Sequence, residues 1–503
     1  MSIRDKVKAD AFSIVNAPTT EKVSTIIAEK SPLEKLESEV RKVNLINTLV
    51  NDLKDPLSKF RNESGAVDAY KVPQTLYIVA IIHEIIKASK RIHLGICVRH
   101  GVIYLFTGKY WQETADEDVK KLLSKLAIKL GYYSPATAKV SEFREKLFKQ
   151  FLYEGVEEAA TPGRKNILVN LNNGTLEIDK STVRLREHRR EDFITYCLNY
   201  DYSEKAKCPF FENYLDEVLP KREVQMILQE YVGYIFTTGL KLEKGAVLYG
   251  SGANGKSVFF EIITSLLGKD NLSFKGLGDL CMKGDKGNNH RAEIENKLVN
   301  YASEISPKGA DIEIFKALVS AEPVSARRLY KDVYTFRSSA KLIFNANKLP
   351  TETEHTEGFF RRYLIIPFNV TIPENRQDKN LHKKIIEHEL GGVLNWAIDG
   401  LKRLLSTGNF TESEETSNAL EDFKKQSNSV LQFVEEYSLE KDEYGFVSNK
   451  DLYSSYTEFC NSCGYHRFNQ SNFSQELKKA GFEARQKKVS GNNRRGFKIE
   501  FGG

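Results

Sequence analysis

A glycine-rich loop is the part of this sequence best suited to chemistry. Residues 250–257 read Gly-Ser-Gly-Ala-Asn-Gly-Lys-Ser, which fits the pattern Gly-x-x-x-x-Gly-Lys-Ser. In such a loop the backbone N–H groups surround phosphate oxygens, the lysine reaches the outer phosphates, and the serine hydroxyl can ligate Mg²⁺. The predicted phosphate-binding residues are Gly250, Gly252, Asn254, Gly255, Lys256, Ser257 and Val258.

The segments on either side of the loop have the order that such a site requires. Residues 246–249 are apolar and predict a strand, and residues 258–267 have a helical pattern that ends before Gly268. A following helix points its positive N-terminus at a bound anion. This context favours a phosphate site over an ordinary glycine-rich turn.

Two further strand ends are expected to face the phosphate. Residues 297–304 predict a strand that ends at Ser303 and Glu304, and residues 341–347 predict one that ends at Asn347, with Asn345 inside it. A carboxylate there can hold Mg²⁺ through water or polarise the attacking water, and an amide can orient that water. We predict catalytic roles for Glu304 and Asn347, and we expect Ser257 and Glu304 to hold the metal. The alternative for Glu304 is a surface carboxylate at the end of a strand.

An arginine pair precedes the next apolar strand. Arg361 and Arg362 come just before residues 365–368. The planar guanidinium suits a phosphoryl transition state, and a pair in this place can reach the nucleotide of a neighbouring subunit. The alternative is a solvated basic turn.

A basic stretch with interleaved aromatic residues lies between the two strand ends. Residues 326–337 have strand-like flanks and contain Arg327, Arg328, Tyr330 and Lys331. This composition predicts a hairpin that contacts nucleic-acid phosphates and stacks on bases. A basic hairpin without a nucleic-acid role is the alternative.

Together these segments resemble the ordered motifs of superfamily 3 helicases. The resemblance is carried by residues 250–257, 297–304, 324–331, 341–350 and 359–368, and the most similar branch is the primase-helicases of poxviruses, satellite phages, plasmids and mobile elements. Residues 228–234 look like the helix before the loop in that branch, and residues 101–111 and 167–179 look like its accessory domain. The resemblance implies a ring-forming AAA+ motor, usually hexameric, that uses ATP and Mg²⁺ and moves 3′ to 5′ on single-stranded DNA.

The last residues predict a DNA-binding module. From residue 447 on, the patterns are helix, helix and hairpin, which is the order of a winged helix. Residues 466–503 contain nine Lys and Arg against three Glu, so phosphates are a suitable partner. The expected duplex contacts are Lys487, Lys488, Arg494 and Arg495. A wing that contacts only protein is the alternative.

The predicted fold class is α/β. We expect a helical N-terminal arm at residues 1–70 and a mixed α/β accessory domain at 71–205. An AAA+ P-loop ATPase core of the superfamily 3 type follows at 206–410, and residues 412–427 predict a linker helix before a winged-helix domain at 428–503.

Composition sets the wider limits. The 503 residues are 41% hydrophobic and 28% charged with a net charge of +6, which fits globular domains and permits a nucleic-acid partner. Six scattered cysteines suit a reducing cytosol, and the longest apolar run, residues 76–86, is too short to span a membrane. Cys460 and Cys463, with His466 nearby, have no second pair, so helix-end cysteines are favoured over a metal site.

Priming activity is the remaining question. Residues 116–118 read Asp-Glu-Asp, which resembles the paired carboxylates of a polymerase or primase metal site, but acids at a helix start also suit the helix dipole. We therefore predict an ATP-dependent replicative helicase of a mobile element, phage or plasmid, cytoplasmic, acting on single-stranded and duplex DNA as a homo-oligomer. A separate primase or replication protein is an expected partner. The alternatives are a bifunctional primase-helicase and an initiator or loader that assembles on origin DNA without unwinding it.

Overall fold

The computed structural model describes residues 30–54, 57–155, 167–303, 305, 310–349, 357–465, 467–489 and 492–501. The predicted carboxylate Glu304, His466 and residues 1–29 of the predicted arm lie outside this part of the chain. The chain divides into two compact units, one formed by residues up to 94 with 117–154, the other by 95–116 with the residues from 155 on. The predicted boundaries at residues 70 and 205 each fall inside a unit.

The first unit is helical. Its helices are α1 (Pro32–Glu39), α2 (Leu45–Asn51), α3 (Gln74–Arg91), α4 (Asp116–Leu130), α5 (Pro135–Ala138) and α6 (Ser141–Gly155). The first residue of α4, Asp116, and the last residue of α6, Gly155, already belong to the second unit. A capping box starts α1, because Ser31 and Glu34 each accept a hydrogen bond from the other's backbone N–H. The apolar run at residues 76–86 lies in α3, where Ile81, Ile82 and Ile85 are buried. The prediction of a buried helix there is confirmed.

Two small antiparallel sheets open the second unit. The first has the order β1 (Ile96–Arg99), β2 (Val102–Phe106), β3 (Trp111–Thr114), and the second β4 (Ile167–Leu171), β5 (Gly174–Ile178), β6 (Val183–Arg186). The buried Asn170 side chain joins this region, since its Nδ2 donates to the carbonyls of Lys109 at 2.9 Å and Tyr196 at 3.1 Å.

Residues 209–367 contain the loop and the strands predicted around it. The helices are α7 (Pro209–Val218), α8 (Arg222–Ile235), α9 (Lys256–Leu267), α10 (Leu277–Leu280), α11 (Gly284–Ala292), α12 (Ile312–Val319) and α13 (Glu357–Phe360). The strands are β7 (Gly245–Tyr249), β8 (Leu272–Ser273), β9 (Val299–Ala302), β10 (Pro323–Arg327), β11 (Val333–Arg337), β12 (Lys341–Ala346) and β13 (Tyr363–Pro367).

Five of these strands form a parallel sheet in the order β13-β7-β12-β9-β8. Its central strands are buried on both faces, as the short continuous apolar runs require; Val247, Leu248 and Val299 have no exposed surface. Parallel strands place their carboxyl ends at one edge, so the loop after β7 and the residues after β9 and β12 meet there. The predicted strands and the α/β class are confirmed.

The strands β10 and β11 form the predicted hairpin. They pair antiparallel from Pro323 opposite Arg337 to Arg327 opposite Val333. The base of the hairpin packs into the core through Val324 and Phe336, which are both 6% exposed.

Three helices follow the sheet: α14 (Leu381–His388), α15 (Leu390–Thr407) and α16 (Glu414–Ser427). α15 packs closely on α8, because a Cβ at Gly233 would lie 2.6 Å from the Ala397 carbonyl oxygen. The fully buried Glu230 of α8 pairs with Arg403 at 2.5 Å and accepts from the Thr411 N–H at 2.7 Å. This carboxylate fastens the chain after α15 to the core.

The helix predicted as a linker is packed against the sheet unit. Phe423 of α16 is 1% exposed, and its ring centre lies 5.3 Å from that of Phe360 and 5.5 Å from that of Tyr363. This contact could not be predicted from the sequence, because one buried aromatic residue in a highly charged helix gives little periodic hydrophobic signal.

The remaining elements share a core of their own within the second unit. They are α17 (Ser429–Glu436), β14 (Leu439–Lys441), β15 (Val447–Ser448), α18 (Asn449–Cys463), α19 (Gln470–Lys479), β16 (Ala484–Val489), β17 (Asn492–Phe497) and β18 (Ile499–Phe501). Phe433, Tyr456, Phe473 and Phe497 are buried in this core. The strands β15, β17 and β16 pair in that order, so β16 and β17 form a ribbon that follows the two helices.

No helix among the described residues is both long and apolar enough to cross a membrane.

Candidate nucleotide site

The glycine-rich loop joins β7 to α9 at the carboxyl edge of the parallel sheet. Gly252 and Gly255 have φ values of 122° and 88°, which side chains rarely adopt. At Gly250, an added Cβ would lie 2.3 Å from the carbonyl oxygen of Phe368. The helix α9 begins at Lys256 with no side-chain cap, so the loop geometry leaves its N-terminal N–H groups to an anion.

Lys256 is buried inside this loop. Its Nζ donates to the Gly250 carbonyl at 2.6 Å and to Asn254 Oδ1 at 3.1 Å. Burial lowers the pKa of the ammonium group. An anionic phosphate beside it would favour the charged form, so the loop fits a phosphate ligand. Asn254 also donates to the Phe368 carbonyl at 3.0 Å, which ties the loop to the segment after β13.

The loop opens into a cavity of about 660 Å³, which is in the range of small-molecule sites. Residues 252–258 line one side, and Ser303, Asn345 and Asn347 approach from the ends of β9 and β12. Asn347 is exposed, whereas Asn345 is half-buried and accepts from the Tyr301 hydroxyl at 3.2 Å. The tertiary structure thus brings Lys256, Ser257 and Asn347 together; Glu304 lies outside the described residues.

The other side of the cavity was missed in the sequence. It is formed by α7 and by the segment after β13, with the lining residues Phe210, Asn213, Tyr214, Glu217, Ile372, Arg376, Gln377, Asp378, Lys379 and Leu381. Because β13 lies beside β7, its carboxyl end meets the same edge, and this rule could have identified the second segment. No sequence rule of this kind would have identified Phe210 as a lining residue. Phe210 is 50% exposed, and its backbone N–H donates to the Glu389 carboxylate at 2.9 Å.

The two predicted arginines differ, and neither lines the described part of the cavity. Arg361 has a 64% exposed side chain, which pairs with Glu243 at 3.5 Å. Arg362 is 11% exposed, donates to the Gly358 carbonyl and lies 3.3 Å from Ser320 Oγ. Only Arg361 is therefore placed to reach another molecule.

The three predicted basic residues near the hairpin tip already have acidic partners. Lys331 lies 2.9 Å from Asp116, and Arg327 lies 2.7 Å from Asp285. Arg328 contacts Glu113 at 2.7 Å and Glu295 at 3.1 Å. Tyr330, by contrast, is 94% exposed at the hairpin tip.

In the ribbon formed by β16 and β17, the four predicted cations are exposed but divided between two faces. Lys487 lies directly opposite Arg494, so both share one face. Lys488 and Arg495 belong to the other face, because successive side chains of a strand alternate. A ribbon of this kind can contact phosphates on both sides only if it enters a groove.

The other residues singled out in the sequence lie in helices outside the cavity. Asp116 pairs with Lys331, and Asp118 lies 3.6 Å from Lys121 in the first turns of α4. Cys460 is buried in the C-terminal core, whereas Cys463 is exposed near the end of α18. Among the described residues, no group of three or more His, Cys, Asp or Glu side chains is arranged to hold a metal ion.

Three family models match parts of the chain. Residues 84–220 match a family described as "D5 N terminal like", and residues 425–501 match one described as "Poxvirus D5 protein-like". Residues 248–362, which include the loop and the hairpin, match a family of unknown function, DUF5906.

Viral replication proteins are among the similar sequences. The putative helicase L207/L206 of Acanthamoeba polyphaga mimivirus is 28% identical over 211 residues, which are 40% of this chain and 22% of that protein. The putative primase C962R of African swine fever virus is 21% identical over 276 residues, 51% of this chain and 28% of that protein. These matches support a D5-like primase-helicase family. The chain spans about a quarter of the length of these curated relatives.

A solved structure of the NrS-1 C-terminal region, in its A form without ligand, aligns with a TM-score of 0.44 and 11% identity. The alignment covers 81% of this chain and 96% of that one. At this score the similarity does not establish a common fold.

Proposed function

We propose that this protein is an ATP-dependent DNA helicase of the superfamily 3 type, with an AAA+ core at residues 206–410. The observation that carries the proposal is the cavity in which Lys256 and Ser257 face Asn345 and Asn347 across adjacent parallel strands. A Gly-x-x-x-x-Gly-Lys-Ser loop at this edge is built for a nucleoside triphosphate. The helicase and primase names of its relatives make DNA replication the setting.

Each described residue has a distinct task in this proposal. Lys256 and the N–H groups at the start of α9 hold the phosphates, and the Ser257 hydroxyl is a ligand for Mg²⁺. Mg²⁺, when bound, would offset the negative charge that develops on the phosphate oxygens. Asn347 orients the attacking water, and Arg361 of an adjacent subunit in a hexameric ring stabilises the transferring phosphoryl group. Glu304 is proposed as the carboxylate partner from its place in the sequence.

The DNA contacts are proposed on two elements. The β10–β11 hairpin would hold single-stranded DNA in the ring channel through Lys331, Arg327 and Tyr330, while the protein moves 3′ to 5′ along the strand. The module at residues 428–503 would act as a winged helix on duplex DNA through its ribbon.

The direct test is unwinding of a forked DNA substrate by the full chain with ATP and Mg²⁺, beside its ATPase rate. Unwinding that requires hydrolysis would support the proposal. Hydrolysis on DNA without strand separation would instead favour the initiator or loader. Electron microscopy with a non-hydrolysable ATP analogue and single-stranded DNA tests the ring.

A bifunctional primase-helicase is the second candidate, because one relative is named as a primase. A template-dependent primer-synthesis assay on the full chain separates the two. Priming would be established if the wild type makes primers and a variant that lacks a carboxylate outside the nucleotide cavity does not.

A further inference from the structure

The β10–β11 hairpin is held by two tiers of acidic contacts that differ in burial. The inner tier surrounds Glu295, whose carboxylate is 7% exposed and lies 3.1 Å from Arg328. It accepts from the Tyr334 hydroxyl at 2.6 Å and contacts His100 Nδ1 at 2.7 Å. The outer tier consists of the pairs between Lys331 and Asp116 and between Arg327 and Asp285, which are solvent-accessible.

The inner tier is a fixed anchor. Burial by itself would raise the pKa of Glu295, but the hydrogen bonds from Tyr334 and His100 and the charge of Arg328 hold that pKa below its usual value. The two carboxylates, Glu113 and Glu295, raise the pKa of Arg328 despite its burial. Removing one member would leave a buried charge without its partner, so these contacts do not open easily.

The outer tier can open. Lys331 and Asp116 have side chains 48% and 30% exposed, and those of Arg327 and Asp285 are 38% and 67% exposed. Exposed pairs of this kind contribute little stability, so a polyanion can compete for the cations. The tip between them presents Leu329 and Tyr330, which are 69% and 94% exposed.

We propose that Asp116 and Asp285 form an acidic latch, which occupies Lys331 and Arg327 until the phosphates of a single strand displace it. This inference rests on the proposed role of the hairpin in DNA binding. The apolar tip would meet the bases first, and the two cations would then exchange carboxylates for phosphates. Arg328 stays with Glu113 and Glu295 and acts as a positioning residue for the hairpin, not as a DNA contact.

The latch predicts a gain of function. In the Asp116→Asn/Asp285→Asn double variant, Lys331 and Arg327 no longer face these two carboxylate charges before DNA arrives. Each exposed pair should cost roughly 1.5- to 5-fold in affinity, so the variant should bind a single strand about 2- to 25-fold more tightly. The logarithm of its affinity should also fall more steeply with the logarithm of salt concentration, by up to ~0.7 for each basic side chain released from its carboxylate. In the wild type, the carboxylates that DNA displaces take up salt cations from solution, which reduces the net release of ions on binding.

The experiment measures binding of a fluorescent oligothymidylate to the full chain over a range of salt concentrations. Asp332→Asn is the matched control, since Asp332 lies in the same turn and its exposed carboxylate makes no ion pair with another described residue. Because the double variant removes two charges and Asp332→Asn removes one, a gain in log affinity of more than twice that of Asp332→Asn supports the latch. A gain of twice that of the control or less, or no gain, overturns it.

Two further proteins separate failure of the latch from failure of the proposed function. Lys331→Ala should lose single-strand affinity, and if it binds like the wild type the hairpin is not the DNA contact at all. The single variant Asp285→Asn, which changes a more exposed side chain, provides the same test of the latch if the double variant does not fold.

Discussion

The ammonium group of Lys341 lies 3.9 Å from the centre of the Tyr234 ring. Lys341 is the first residue of β12 and its side chain is buried at the edge of the sheet opposite the loop. Burial lowers the pKa of this lysine to about 7, while the ring face favours the charged form. With this pKa, the buried amine of Lys341 is about half protonated at neutral pH and fully charged only at lower pH.

Lys341→Met should raise the free energy of unfolding at pH 6 by a few kcal/mol, since each pKa unit corresponds to ~1.4 kcal/mol. In the unfolded chain the lysine has a pKa of ~10.4. The destabilisation of the wild type by buried Lys341 is therefore complete below pH 7 and disappears as the pH rises towards the unfolded pKa. Denaturant unfolding at pH 6, 7.5 and 9 measures this. The exposed Lys348→Met is the control, and an equal effect of both variants at all pH values would contradict the burial argument.

Lys256→Ala should abolish ATP hydrolysis and leave the fold intact. The substitution removes the group proposed to bind phosphate. It also removes a buried ammonium whose pKa is lowered, which should offset the loss of its hydrogen bonds to Gly250 and Asn254, so stability should not fall. ATPase rate and thermal unfolding are measured together, with Lys269→Ala, an exposed lysine just after α9, as the control. An unchanged turnover rate would end the assignment of an ATPase site.

Arg361→Ala and Arg362→Ala should fail in different ways. Arg361 is exposed, and its loss should lower turnover by ~10³-fold or more without affecting stability, as for an arginine that acts on a neighbouring site. Mixing this variant with wild type should inhibit more than dilution does. Arg362 is bonded to Gly358 and Ser320, so its removal should lower the unfolding temperature. Linear dilution in the mixing assay would exclude action between subunits for Arg361.

The ribbon cations are tested face by face. Lys487→Ala/Arg494→Ala and Lys488→Ala/Arg495→Ala should each reduce the slope of log duplex affinity against log salt, by ~0.9 for every phosphate that the variant no longer neutralises. An effect of only one double variant would mean that the ribbon lies flat on DNA, and no effect of either would assign it to protein contacts. Truncation before Phe473 is a poorer test, because Phe473 and Phe497 belong to the core of the module.

Local pattern was enough for the elements that form the candidate nucleotide site. The loop, the strand before it and the helix after it are contiguous, and strands buried on both faces appear as apolar runs, so β7, β9 and β12 could be located from residue order alone. The hairpin was predictable for the same reason. The roles of Ser257, Asn347 and Arg361 stay predictions, because a motif indicates chemistry without showing a ligand.

Contacts between distant segments depended on the tertiary structure. The pairing of β13 with β7 brings Arg376 to the cavity, and the placement of α11 and of the segment after β3 near the hairpin gives Arg327 and Lys331 their acidic partners. In sequence, Arg361 and Arg362 are equivalent neighbours, and only packing buries one and exposes the other. The sequence by itself determined the candidate phosphate-binding motif, since that motif is made of adjacent residues. The tertiary structure decided which charged side chains are exposed and which are paired or buried, since ion pairing and burial join residues far apart in the chain.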